Sequence, residues 1–229
     1  MADDFLVLLL DGQTIGVIRR RQGRLSLIYD EAWRLRADAY PLSLSMPLAA
    51  AEHPHGPVNA FLWGLLPDNE VVIGRWARRF QVSPKNPFAL IGAVGEDCAG
   101  AVQFVRSDRL AALQGGAEDS IDWLEEREIA ERLKALREDQ AAWRAARDTG
   151  QFSLAGAQPK TALMWEDGRW GVPSGRLPTT HILKPPTAAF DGHAENEHLC
   201  LSLARRLGIP AAASRVETFD GEIAIVVER

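Results

Sequence analysis

Three of the four Asp-Gly pairs in the chain, at positions 11–12, 167–168 and 220–221, separate short apolar stretches. An Asp-Gly pair adopts the positive φ angles that a tight two-residue hairpin turn requires. The flanking segments are residues 5–10 and 13–19, residues 161–165 and 169–172, and residues 213–218 and 222–227. Because these segments are rich in aliphatic and aromatic side chains, the pattern predicts three β-hairpins and a chain built largely on antiparallel sheet.

Helical periodicity occupies much of the chain between the hairpins. The predicted helices span residues 58–66, 70–80, 125–147 and 195–207. Further strands are predicted at residues 25–29, 41–47, 101–106 and 181–184, the second of them an edge strand between two prolines. Asp68 or Asn69 is expected to cap the second helix, and Asn86 a short helix that ends near Gly92. The fold class is therefore α+β.

The order of these elements predicts three parts in the chain. Residues 1–108 form an N-terminal α/β subdomain with an antiparallel sheet, and residues 109–149 form a connector and a helix. Residues 150–229 form a second unit that consists of a small-residue loop, a hairpin, a strand, a helix and a final strand pair. A chain of 229 residues fits one or two domains of ordinary size.

Charge and termini exclude several classes of function. The chain has 26 basic and 31 acidic residues, which argues against non-specific nucleic-acid binding as its main task. Its first four residues include two aspartates and no basic residue, and the apolar run at residues 5–10 is far shorter than a membrane span. We therefore expect a cytoplasmic protein. Histidine and cysteine spacing predicts no metal site.

The second unit contains three features that phosphoryl transfer requires. Such chemistry needs a backbone cradle for phosphates, a cation on them, and an acid that holds the cation. The loop at residues 153–160 is made of small residues, the strand at residues 181–184 ends in Lys184, and Glu197 lies early in the following helix. Lys184 is also one of only four lysines in an arginine-rich chain. The ordered set predicts a nucleotide site.

Each feature also has a structural interpretation. A lysine at a strand end is most often a surface residue, and a glutamate early in a helix usually complements the helix dipole. The loop at residues 153–160 does not have the GxxxxGK[ST] spacing of a Walker A loop. The residues by themselves leave the nucleotide-binding and the structural interpretations open.

Several longer motifs carry a resemblance to a known family. They are FSLAGAQPKTAL at residues 152–163, TTHILKP at 179–185, ENE at 195–197, VVER at 226–229, GLLPD at 64–68 and GEDCAGA at 95–101. These motifs, across nearly the whole chain, resemble those of the HipA family. Members of that family are serine/threonine protein kinases that act as toxins of bacterial type II toxin–antitoxin modules.

The resemblance implies roles at the matching positions. The implied nucleotide-binding residues are Ser153, Leu154, Ala155, Gly156, Ala157, Gln158, Lys184 and Glu228. Lys184 corresponds to the lysine on the ATP phosphates, Glu197 to its partner, and Glu228 to the hinge that holds adenine through backbone groups. Ser153 matches the serine that family members autophosphorylate, and a phosphate there would repel those of ATP.

The resemblance also implies a fold, cofactors and partners. Residues 150–229 are expected to form a protein-kinase-like N-lobe that binds ATP with Mg²⁺. The implied partners are an antitoxin, through which any DNA contact occurs, and a protein substrate such as glutamyl-tRNA synthetase. Phosphorylation of that substrate stops translation and induces dormancy, which is the basis of persistence.

One departure from the family limits what this chain is expected to do. HipA kinases continue into a helical C-lobe that carries the catalytic and magnesium-binding aspartates, whereas this sequence ends at Arg229, at the match to the hinge. The C-lobe is absent from the sequence, so no catalytic or metal-binding residue is assigned and we expect the chain alone to be inactive. The alternative is a non-catalytic module that binds an antitoxin or toxin partner, or associates with itself through apolar surface left exposed.

Overall fold

The computed structural model describes residues 4–116, 119–139, 142, 153–187 and 192–229. The chain divides into two units. One consists of Met1–Asp119 with Gln151–Gly156, and the other of Ser120–Gly150 with Ala157–Arg229. The boundaries at residues 108 and 149 that we inferred from the sequence stay a prediction.

The first unit is built on an antiparallel sheet of five strands in the order β4-β3-β2-β1-β5. The strands are β1 (Asp4–Leu10), β2 (Gln13–Arg21), β3 (Arg24–Tyr29), β4 (Glu52–His53) and β5 (Val102–Arg106). The helices are α1 (Glu31–Arg34), α2 (His55–Leu65), α3 (Glu70–Arg79), α4 (Pro87–Val94) and α5 (Ser107–Gly115). The hairpin predicted around the first Asp-Gly pair is confirmed as β1 and β2.

Strand β1 is covered on both of its faces. Its last five residues are all buried, where a strand with one solvated face would alternate. Val7 and Leu9 pack with Val105 and with Leu113 of α5. On the other face, Leu6 approaches α4 so closely that a Cβ atom on Gly92 would lie 3.2 Å from its Cδ2 atom. Helices on both sides of the sheet therefore make β1 the centre of this unit.

Two asparagine caps fix where helices of the first unit begin. The Asn69 side chain accepts hydrogen bonds from the backbone N–H groups of Val71 and Val72 at the start of α3. Asn86 accepts one from Ala89 at the start of α4. Both predicted helices are confirmed, and Asn69 rather than Asp68 is the cap.

Two predictions for the first unit were wrong. Residues 41–47 form no strand, because the Met46 N–H donates to the Ser43 carbonyl and closes a turn; the sheet edge is β4. The connector expected from residue 109 onward is helical at its start, because α5 extends to Gly115 and has Gly116, with a φ of +66°, as its C-cap. The Gly115-Gly116 pair therefore terminates a helix.

The second unit contains a six-stranded antiparallel sheet in the order β10-β11-β9-β7-β8-β6. The strands are β6 (Ser120–Leu124), β7 (Thr161–Glu166), β8 (Arg169–Ser174), β9 (His181–Lys184), β10 (Ser214–Phe219) and β11 (Glu222–Glu228). The helices are α6 (Glu126–Glu138) and α7 (His193–Arg206). The second and third predicted hairpins are confirmed, whereas β6 was not predicted.

Helix α6 covers one face of this sheet. Its residues Ile129 and Leu133 pack with Leu163, Leu183 and Val226 from three different strands. The helix ends at Glu138, nine residues before the predicted end, and Asp139 is its C-cap. Residues 140, 141 and 143–147 of the predicted helix lie outside the described residues.

The observed architecture confirms a mixed α and β fold with antiparallel sheets. No helix within the described residues is long and apolar enough to cross a membrane. The assignment of the second unit as a protein-kinase-like N-lobe stays a prediction.

Candidate functional site

The period of the sheet decides which way Lys184 points. Successive side chains of a strand face opposite sides. Leu183 packs in the core under α6, so Lys184 must lie on the opposite face, where α7 packs against β10 and β11. Lys184 is opposite Ile225 on the neighbouring strand β11. The fold thus places the ammonium group on the α7 side of the sheet.

Helix α7 supplies the partner of this ammonium group. Lys184 Nζ donates a hydrogen bond to Glu197 Oε1 at 2.6 Å, and the two side chains are only 18% and 24% exposed. A charged donor and acceptor at this distance form a strong hydrogen bond, and partial burial reduces its screening by salt. The predicted pairing of Lys184 with Glu197 is therefore present.

The position of Glu197 weakens the helix-dipole interpretation. Helix α7 begins at His193, two residues earlier than predicted, so that Glu197 is its fifth residue and Glu195 occupies the first turn. The dipole acts mainly on charges within the first turn. The interaction with Lys184 therefore accounts for the placement of Glu197 better than the dipole does.

The ion pair leaves further hydrogen-bonding capacity at the site. Among the described residues, Glu197 is the hydrogen-bond partner of Lys184, and an ammonium group carries three N–H donors. The Oε2 atom of Glu197 is buried and accepts no hydrogen bond from a described residue. A polar ligand could therefore use the remaining donors of Lys184 without breaking the pair.

The end of the small-residue loop lies at the same edge of the sheet as Lys184. Thr161 at the start of β7 is opposite Leu183 in the antiparallel pair of β7 and β9. Lys160, the last residue of the loop, and Lys184, the last residue of β9, therefore lie at the same end of this strand pair. The Gln158 side chain lies 2.9 Å from the Nε2 atom of His193 at the start of α7.

The beginning of the loop belongs to the first unit. Ser153 is 1% exposed, and its hydroxyl donates to the Leu65 carbonyl at 2.7 Å. Its backbone N–H donates to the Asp97 carbonyl at 3.0 Å, and the Asp68 N–H donates to the Gly156 carbonyl at 3.3 Å. Leu65 and Asp68 lie in the GLLPD motif and Asp97 in the GEDCAGA motif, so three of the quoted motifs contact one another here.

The loop residues differ in their environment. Ser153 and Leu154 are buried, Gly156 and Gln158 are half-buried, and Ala155 and Ala157 are exposed. Gly156 has a φ of +97°, which a residue with a Cβ atom rarely adopts. Because the two ends of the loop belong to different units, the convergence of Ser153 and Lys184 on one triphosphate stays a prediction.

Backbone donors near the predicted hinge are already in use. The Glu228 N–H donates to the Ala213 carbonyl, and the Arg229 N–H donates to the Thr180 carbonyl, both at 2.9 Å. An adenine ring at this position would need other backbone groups of the chain. The role of Glu228 in adenine binding stays a prediction.

The described residues contain no group of three or more histidine, cysteine, aspartate or glutamate side chains that could hold a metal ion. The carboxylate beside Lys184 is that of Glu197, which is already paired. These residues do not form a magnesium site, and no step through the metal is assigned to them.

One residue of this site was missed in the sequence. His193 contacts the loop through Gln158 and lies four residues before Glu197, one turn away on the same helix face. The spacing HxxxE at residues 193–197 was visible in the sequence, but the helix was expected to begin only at residue 195.

Comparison with models of protein families gives two matches, one in the first half of the chain and one at its C-terminal end. Residues 6–105 match the model of the HipA N-terminal domain, and residues 152–229 match the model of the HipA-like C-terminal domain. The second match contains Ser153, Lys184, Glu197 and Glu228.

Individual relatives agree with these matches. The putative kinase Y4mE of Sinorhizobium fredii is 35% identical over 221 residues, which are 96% of this chain and 52% of the relative. The serine/threonine-protein kinase toxin HipA of Shewanella oneidensis is 30% identical over 203 residues, 88% of this chain and 43% of the relative. The chain thus spans about half the length of the curated relatives it matches.

A solved structure shows the same fold. In the Shewanella oneidensis complex of HipA, HipB and operator DNA, one chain superposes with a TM-score of 0.77 and 28% sequence identity. The superposition covers 98% of this chain and 50% of that one. Domain matches, relatives and fold all confirm the predicted resemblance, and the chain belongs to the HipA family.

Proposed function

We propose that this chain contributes the ATP-binding part of a HipA-type serine/threonine kinase toxin. The observation that carries the proposal is the ion pair between Lys184 and Glu197, 2.6 Å long and partly buried. Kinases use such a pair to hold the lysine that contacts the nucleotide phosphates. Family membership supports the proposal, because the curated relatives are named as kinases.

The roles of the residues follow from their chemistry. Lys184 offers its remaining N–H donors to phosphate oxygens, and Glu197 fixes the direction of the ammonium group. Backbone groups of residues 153–158 form the phosphate-binding loop, and Glu228 lies at the adenine hinge. Mg²⁺ would accompany the nucleotide, with ligands other than the residues described above.

Partners of the kinase are proposed from the relatives. The solved Shewanella oneidensis complex contains HipA together with HipB and operator DNA. We infer that an antitoxin of the HipB kind binds the kinase and provides its contact with DNA. A serine or threonine of a translation protein such as glutamyl-tRNA synthetase would be the substrate.

Nucleotide binding is the direct test. In a ¹H–¹⁵N NMR titration with Mg-ATP, we expect chemical-shift changes at the backbone amides of residues 157, 158, 160, 184 and 197, and their loss in Lys184→Ala. The matched control is Lys134→Ala, because Lys134 is an exposed lysine of α6 in the same unit. Unchanged ATP binding in Lys184→Ala would refute the role of Lys184.

Catalysis needs a separate test, since the chain spans about half the length of its curated relatives. Joined to the second half of a HipA kinase, the chain should transfer ³²P from ATP to protein, and Lys184→Ala should abolish the transfer. Full activity of that variant would contradict the proposal.

A second candidate function rests on an exposed surface. Leu199 and Leu203 of α7 and Leu207 at its C-cap are spaced four residues apart, and each is more than half exposed. Such a stripe is typical of an interaction surface. A non-catalytic module that binds an antitoxin or toxin partner through α7 is therefore the alternative, and it predicts partner binding without nucleotide binding.

A further inference from the structure

We propose that His193 is a positioning residue that couples the small-residue loop to the Lys184–Glu197 pair through its contact with Gln158. The inference rests on the proposed function, because it concerns the same nucleotide site. It adds a role for a residue that lies outside the sequence motifs quoted above.

The first observation is the contact itself. The Gln158 Nε2 atom lies 2.9 Å from His193 Nε2. The amide N–H donates to the ring nitrogen when the imidazole carries its proton on Nδ1. Gln158 belongs to the loop and His193 is the first residue of α7, so this hydrogen bond joins the loop to the helix.

The second observation is the geometry of α7. Residues four apart on a helix lie one above the other on the same face. His193 and Glu197 have this spacing, so one face of α7 contacts the loop through His193 and the end of β9 through Glu197. A movement of the loop that displaces His193 would also act on the carboxylate that holds Lys184.

The third observation is the burial of polar atoms on this face. His193 Nδ1 and Glu197 Oε2 are both buried, and neither has a hydrogen-bond partner among the described residues. Leaving a buried polar atom unpaired costs free energy, so such atoms call for a specific reason. A water molecule or a polar ligand that forms hydrogen bonds with both atoms would explain why they are buried on the same face of the helix.

The structural alternative is that the contact only secures the start of α7. Gly192, at the N-cap position, has no side chain that could cap the helix. In that case, loss of His193 would fray the helix end without affecting the loop or the ion pair. The experiment below separates these two roles.

The binding test is a double-mutant cycle on the chain, with Mg-ATP as the probe and NMR as the readout. His193→Ala and Gln158→Ala should each weaken Mg-ATP binding about five-fold, the usual effect of one hydrogen bond. The double variant should bind no more weakly than either single one, because both remove the same link. Additive effects, or none, would overturn the proposal.

Two further variants control for folding. His198→Ala removes another histidine of α7, whose Nδ1 atom lies 3.0 Å from the hydroxyl of Ser214 on β10. This variant should bind Mg-ATP with an affinity within two-fold of that of the original chain. His193→Gln retains a side-chain amide that can bond to Gln158 and should restore most of the affinity. Failure of that rescue, with the helix intact by circular dichroism, would count against the link.

A readout without nucleotide keeps the inference separate from the proposed function. In the free chain, His193→Ala should shift the ¹⁵Nζ resonance of Lys184 and speed amide hydrogen exchange at residues 157, 158 and 160. His198→Ala should do neither. If the original chain does not bind Mg-ATP, the proposed function fails, and these resonances still decide whether His193 couples the loop to the pair. Unchanged resonances would overturn the coupling.

Discussion

Lys184 Nζ lies 2.6 Å from Glu197 Oε1, which joins the last residue of β9 to the second turn of α7. The two residues are 13 positions apart in the chain, and the segment between them includes residues 188–191, which the structure does not describe. The contact links a strand to the helix that follows it. It is the arrangement from which the nucleotide site is inferred.

Glu197→Gln tests the charge of this pair. The amide keeps the shape of the side chain but removes the negative charge that orients the ammonium group, so Mg-ATP binding should weaken about three- to ten-fold, as for the loss of a charge-assisted hydrogen bond. Isothermal titration calorimetry or the NMR titration provides the measurement. Glu195→Gln, an exposed change on the same helix, should have no effect. Equal affinity of Glu197→Gln and the original chain would show that Glu197 does not support Lys184.

Ser153→Ala tests the buried hydroxyl. Its loss leaves the Leu65 carbonyl without this donor, so the free energy of unfolding of the first unit should fall by about 1–2 kcal/mol. Ser153→Asp should cost about 3 kcal/mol or more, because it buries an unpaired charge. Urea denaturation measures both.

The exposed Ser83 provides the control for that pair of variants, and Ser83→Asp should change stability by less than about 0.5 kcal/mol. The same burial bears on the predicted autophosphorylation, because a phosphate cannot occupy the position of the Ser153 hydroxyl beside Leu65. The residues around Ser153 must therefore move away from Leu65 before a kinase can phosphorylate the Ser153 hydroxyl. Equal stability of Ser153→Asp and Ser83→Asp would contradict the buried position.

His181 should make stability depend on pH. Burial lowers the pKa of this imidazole below its usual 6.5, and the charge of Arg215 adds to the effect, while Glu228 and Glu217 oppose it. Below pH 6.5 the unfolded chain therefore binds more protons than the folded one, and stability declines as the pH falls toward the folded pKa. Urea denaturation from pH 7.5 to pH 5 should show this slope, and His181→Gln should reduce it. A slope that is the same in both proteins would exclude His181 as its source.

The leucine stripe on α7 should mediate association. Leu199, Leu203 and Leu207 are between 53% and 68% exposed, so their replacement by serine removes apolar surface from contact with water. Sedimentation analysis should show self-association of the original chain and a shift to monomer in the triple variant, with little change in stability. Leu44→Ser, at a residue 93% exposed in the first unit, should not shift the equilibrium. A monomeric original chain would argue against self-association through this face.

Local signals explain which elements could be predicted. The Asp-Gly turns and the asparagine caps act within a few residues, so the three hairpins and the starts of α3 and α4 were predicted correctly. Strand β6 was missed because Ser120–Leu124 is short, and its partner β8 lies about fifty residues further along the chain. The proline-flanked segment at residues 41–47 alternates like a strand, but a local turn between Ser43 and Met46 prevails.

The amino-acid sequence by itself determined the resemblance to the family and the antiparallel hairpins, and it indicated Lys184 and Glu197 as a candidate pair, because these depend on residue type and on short-range order. Only the tertiary structure decided that Glu197 reaches Lys184, that His193 contacts the loop, and that the Ser153 hydroxyl is buried against Leu65. The physical reason is that strand alternation and helix packing choose the face on which each side chain lies, and sequence spacing alone does not measure that choice.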